Sequence, residues 1–138
     1  MATWGAAGGV WAAASDAMKF LCLAYGDQEK MEALSKEEFE ALVAKCRVYD
    51  EELRQSGHLL QVESLEWATR TVRTRSGQLV ATDGPFVETK ETVGGLFIIE
   101  TKDFAEAIQV AALHPGARLG EHLGWAVEVR PIADGCHQ

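Results

Sequence analysis

Asp83 stands in the run Asp83-Gly84-Pro85, a loop signal. A carboxylate placed there, at the mouth of a pocket, can serve as a general base. The same residue can instead close an Asx-turn, its oxygen accepting backbone N–H bonds. Gly84, held before a proline, suits a rigid turn on either reading. Glu88, Lys90 and Glu91 follow on a short polar segment. A lysine between two carboxylates can bind an anionic substrate or tune a base; the alternative is a solvated ion-pair cluster worth ~0–1 kcal/mol. Near the other end of the chain, Glu128 and Arg130 share one strand face by the period of two, and Val127 and Val129 share the other. Arg130 can fork onto a carboxylate or phosphate, or pair with Glu128 to fix register. Arg73 and Arg75 also share a face, as an exposed edge strand would have them.

Of the histidines, His122 lies in a glycine-bounded loop near Trp125 and is a pocket candidate, while His58 begins a strand after Gly57 as a rim residue. His114 ends a helix, where a cation suits the helix dipole, and His137 sits in the tail beside Cys136. No two histidines have the i, i+4 spacing of a zinc site and no Cys-x-x-Cys occurs, so no metal is expected. The run Val93-Gly94-Gly95-Leu96-Phe97 lacks the lysine and spacing of a phosphate loop, and no cofactor is expected. Three widely spaced cysteines, Cys22, Cys46 and Cys136, read as thiols of a reducing cytoplasm rather than a disulfide framework. Cys22 and Cys46 fall on apolar faces and read as small hydrophobes.

These residues need elements to carry them. The chain has 138 residues, the size of one domain. With 47% apolar and 25% charged residues it is expected to fold rather than to be disordered. A net charge of −8 argues against nucleic acid or an anionic membrane surface as partner. No apolar run approaches the ~18 residues of a membrane-spanning helix. Residues 1–17 are rich in Ala and Gly with Asp16 as the only charge, and lack the positive start of a signal peptide. They are expected to be a flexible extension, with Met18 a candidate start of the domain at 18–138.

Lys19–Tyr25 is almost wholly apolar, as in a strand buried on both faces. Ser35 with Glu38 forms a capping box, and Phe39, Leu42, Val43, Cys46, Tyr49 and Leu53 keep helical spacing. This predicts a helix over 36–56, stopped by Gly57. Strands are expected at 58–65, 67–75, 78–82, 93–100 and 124–130, with Ser76-Gly77 as a hairpin turn. Asp103 caps a second helix that ends at His114-Pro115-Gly116. The order is the split βαβ pattern of an α+β, ferredoxin-like βαββαβ fold with an extra β-hairpin. Two helices can cover only one face of such a sheet. Trp67, Trp125, Phe97 and Ile99 are candidates for the other, which a second copy of the chain would cover in a twofold dimer.

The stretch Asp83–Glu91 (DGPFVETKE) resembles the signature of the DGPF family, within the YCII-related proteins. Three further segments match in order: MKFLCLAYGD at 18–27, GGLFIIE at 94–100 and VEVRPI at 127–132. The resemblance covers 18–138 and implies a dimeric α/β-barrel in which two sheets face each other. Certain YCII-type relatives use a His in the first helix and an Asp before a Pro after the second. Those places hold Cys46 and His114 here, so that dyad is not carried over.

Two functions are expected from this. One is a cofactor-independent lyase or isomerase moving a proton, with Asp83 as base and Arg130, Glu128, Lys90, Glu88 and His122 around a small acidic or polar metabolite. The other is a non-enzymatic dimeric module that binds a ligand or a protein.

Overall fold

The apolar run of the first strand and the two glycines of the fifth organise the structure, a computed structural model that describes residues 17–134. Residues 1–16, which make up nearly all of the expected extension, and Cys136 and His137 lie outside the described residues. Strand β1 (Met18–Asp27) leads into a one-turn helix α1 (Gln28–Glu32) and the long helix α2 (Lys36–Gln55). Then come β2 (Leu59–Ser64), the hairpin β3 (Arg70–Arg75) and β4 (Gln78–Asp83), and β5 (Glu91–Thr101). Helix α3 (Phe104–Ala111), a short α4 (Pro115–Arg118), a 3-10 turn (Glu121–Leu123) and β6 (Ala126–Pro131) complete the chain.

The main sheet has the order β2-β5-β1-β6, and every neighbouring pair is antiparallel. β1 and β2 therefore run parallel with β5 between them, joined through α2. β5 and β6 run parallel with β1 between them, joined through α3. The hairpin does not extend this sheet, as the sequence pattern suggested; β3 and β4 form a separate two-stranded sheet. Its turn is the expected one, with Ser76 at φ 51° and Gly77 at φ 78°, the pair of positive φ values that matches strand twist.

One face of the main sheet meets the helices. Phe20, Cys22, Phe97 and Ile99 are fully buried there against Leu53 of α2 and Ala107, Val110 and Ala111 of α3. Each of the two phenylalanines removes enough apolar area to contribute ~1.5–3 kcal/mol. Phe97 and Ile99, candidates for the uncovered face on the sequence pattern, therefore lie in the core instead. Register decides it: Phe97 lies opposite Cys22 and Ile99 opposite Phe20. The uncovered face carries Leu21 and Leu23 of β1 beside Ile98 and Leu96 of β5. Trp67 and Trp125 precede β3 and β6 rather than lying on the main sheet.

His114 also departs from expectation. It does not serve as a cation at the end of α3. Its Nδ1 accepts the Gly116 N–H at 2.9 Å as the N-cap of α4. Its ring stacks on Phe97 with centroids 4.5 Å apart and planes 5° from parallel. Burial pushes its pKa down to about 4, so it is neutral at pH 7.

Candidate functional site

The outer end of β1 and the start of β5 do not pair evenly. Register skips from Ala24 opposite Gly95 to Tyr25 opposite Val93, leaving Gly94 as a bulge. Bulges bend a strand and re-aim its neighbours. Here the bend leaves room for Trp67, whose ring would sit 3.2 Å from a Cβ at Gly94. A side chain at 94 would push the indole away. The Leu65 N–H donates to the Gly94 carbonyl at 2.9 Å, tying the loop that carries Trp67 to the bulge.

The Asp83–Glu88 turn is tied to the same loop through Thr69. Gly84 has φ 93°, in the region that favours glycine, and its N–H donates to the Thr69 carbonyl at 2.8 Å. Thr71 Oγ1 donates back to the Gly84 carbonyl at 2.8 Å. Pro85 is thereby set against the Trp67 loop, and Phe86 lies outside under the Arg73 guanidinium, 5.5 Å from its ring centre.

Two adjoining cavities result, of about 530 and 620 Å³, and Trp67, Thr69, Pro85, Thr89 and Thr92 line both. The first is further walled by Asp27 and α1, with Glu29 and Glu32, and by Glu88 and Lys90. α1 is anchored by Met31, whose sulfur accepts the Trp125 Nε1–H at 3.3 Å. The second cavity takes in Tyr25, Leu65, Val87 and Glu91. Tyr25 Oη donates to Glu128 Oε1 at 2.8 Å. That bond to a carboxylate raises the Tyr25 pKa, with burial adding to it.

The residues expected to form one site are thus dispersed within the chain. Glu88 and Lys90 line the first cavity. Glu128 reaches the second only through Tyr25. Arg130 lies opposite Leu21 on the uncovered sheet face. Asp83 forms no Asx-turn; its side chain is 92% exposed and pairs with Arg70 Nε at 3.0 Å. His122 is exposed in the 3-10 turn. Neither Asp83, Arg130 nor His122 lines either cavity. Trp67, Asp27, Glu29, Glu32 and Tyr25 were not anticipated. The one local signal for them was the end of the apolar run at Tyr25-Gly26-Asp27, where a strand must stop and its last side chains face an opening.

The two thiols behave as apolar groups. Burial pushes the Cys22 thiol up to about 12 and raises Cys46, which Asp50 raises further. No three His, Cys, Asp or Glu side chains among the described residues are grouped to hold a metal ion. No helix among them is long and apolar enough to cross a membrane.

The model of the YCII-related domain family matches residues 18–133. The chain belongs to the YCII-related family. An uncharacterized protein of Rhizobium meliloti (strain 1021) is similar to it, 31% identical over 118 residues that cover 84% of this chain and 93% of that one. In this YCII-related chain the Asp83–Glu91 signature does two jobs in space. Its first half makes the turn tied to the Trp67 loop, and its second half walls the cavities.

Proposed function

We propose that this YCII-related protein is a small-molecule-binding homodimer with a ferredoxin-like α+β arrangement. The observation that carries the reading is the pair of confluent cavities around Trp67, whose walls come from β1, α1, the Trp67 loop and the Asp83–Glu91 turn. Their size suits a metabolite. A second copy on the uncovered sheet face would bury Leu21, Leu23, Leu96 and Ile98. It would also enclose Glu128, Arg130 and Tyr25 between the two sheets, beside the second cavity. The two crossovers that place β5 between β1 and β2, and β1 between β5 and β6, support this arrangement.

Proton transfer of the lyase or isomerase kind is the enzymatic form of this reading, with Asp83 as its base. It requires the partner chain to enclose Asp83, which a single chain leaves in solvent beside Arg70. The exposed Val72 and Leu79 on one face of the free-standing hairpin favour the second form, a module that also contacts a protein.

A thermal-shift screen of the full chain against polar metabolites tests the proposal. A ligand at ~100 times its Kd adds ~2.7 kcal/mol, which raises Tm by roughly 5–15 °C for a domain of this size. The expected result is such a shift, lost in Trp67→Leu. A shift retained in Trp67→Leu would place the ligand elsewhere, and a shift from nothing in the screen would favour the protein-contact module. Turnover that dies in Asp83→Asn while the shift persists would identify the enzyme.

A further inference from the structure

The first cavity is chemically lopsided. Asp27, Glu29, Glu32 and Glu88 line it against a single cation, Lys90. The two ion pairs among the described residues, Arg54–Glu51 and Arg70–Asp83, lie elsewhere, so no salt bridge there neutralises the cavity carboxylates. Acidic side chains on a surface are commonplace. Asp27 is not on a surface, being 5% exposed. Its Oδ1 accepts the Lys30 N–H at 3.2 Å, and its Oδ2 has no hydrogen-bond partner among the described residues. No side-chain polar atom among them is both sealed from solvent and unpaired. The free oxygen of Asp27 therefore keeps contact with solvent, and the residue lines the cavity.

Beside Thr69, Pro85, Thr89 and Thr92 the wall carries Trp67, the aromatic side chain with the strongest attraction for a cation over its ring. This indole lies against Gly94 at the bulge. A half-buried indole lining the same cavity as a buried carboxylate is the complement of a group with positive charge and an apolar skin. The carboxylates are not gathered as a metal ion requires. We infer that the first cavity binds an organic cation, an alkylammonium whose charged end meets Asp27 and whose carbon body lies against Trp67, with Glu29, Glu32 and Glu88 supplying the surrounding negative potential. The inference rests on the small-molecule reading of this cavity and departs from the acidic ligand expected of Lys90 and Arg130.

The test is calorimetric titration of the full chain with choline and putrescine. The neutral isostere 3,3-dimethylbutan-1-ol and the anion phenylacetate are run beside them. One or both amines are expected to bind about tenfold or more tighter than the neutral alcohol, with affinity falling as salt is raised. Trp67→Leu should weaken amine binding about tenfold, and Trp67→Tyr should retain most of it. Glu29→Gln/Glu32→Gln, on an exposed helix, should weaken it with Tm unchanged, and this variant carries the test if Trp67→Leu does not fold. Equal affinity for the amines and the alcohol would overturn the inference. So would Trp67-dependent binding of phenylacetate, which would leave the small-molecule cavity standing with the opposite charge preference. Silence from both amines would also overturn it, and silence in the wider metabolite screen as well would take the cavity reading down with it.

Discussion

His114 shows how one side chain is set by burial rather than by its place in the chain. Its neutral ring must present a lone pair at Nδ1 to accept the Gly116 N–H, and protonation would put a proton where that bond is made. Unfolded, the imidazole titrates near its ordinary value of 6.5; folded, burial brings it down to about 4. Between those values the unfolded chain binds the extra proton, so stability is full above pH 6.5 and falls as the pH drops toward 4. The shift corresponds to a loss on the order of 3 kcal/mol. Urea unfolding at pH 7 and pH 4.5 should show this loss in the wild type. It should be much smaller in His114→Asn, which keeps a capping oxygen and has no titrating ring. An unchanged pH slope in the variant would mean that another group carries the acid sensitivity.

At the scale of elements, local chemistry decided the starts of helices and the tight turn. Ser35 Oγ accepts the Glu38 N–H at 3.0 Å, and Glu38 Oε1 accepts the Ser35 N–H at 2.8 Å. Asp103 caps α3 in the same way through the Glu106 N–H. These partners are three residues apart, so their signals survive in the sequence. Replacing Ser35 by Ala removes one half of the reciprocal box and should cost about 1 kcal/mol, read as a lower denaturant midpoint with an unchanged m-value. An equal loss in a Glu38→Gln variant would not be expected, because the amide oxygen can still accept. The Trp67–Thr69 segment is not strand, although the Thr and Val that follow it raise β propensity; the Thr69 carbonyl accepts the Gly84 N–H, far away in sequence, and the Trp67 carbonyl accepts the Thr69 hydroxyl.

At the scale of the molecule, the uncovered sheet face is the surface that the proposed homodimer would bury. Leu21, Leu23, Leu96 and Ile98 are only partly buried in a single chain, and a polar edge with Glu128 and Arg130 runs beside them. Size-exclusion chromatography with light scattering should give twice the chain mass. Leu23→Glu should give the mass of one chain, since it places a charge at the centre of the apolar stripe. A wild-type protein that runs as one chain would sink the dimer and with it the enclosure of Arg130.

The sequence by itself determined the order of the six strands and the two longer helices, the Ser35 and Asp103 caps, the hairpin turn and the family, because each depends on residues near one another or on a fixed motif. Tertiary structure decided which way the strands face and what gathers at their ends. A strand's two faces are interchangeable in a run as apolar as Lys19–Tyr25, so only pairing with β5 could assign Phe97 and Ile99 to the core. The site followed the same rule. Asp27, Trp67 and Glu88 come from separate segments that line one cavity, with Trp67 against a one-residue bulge at Gly94, and a bulge is a property of two strands together, which neither strand's residues state alone.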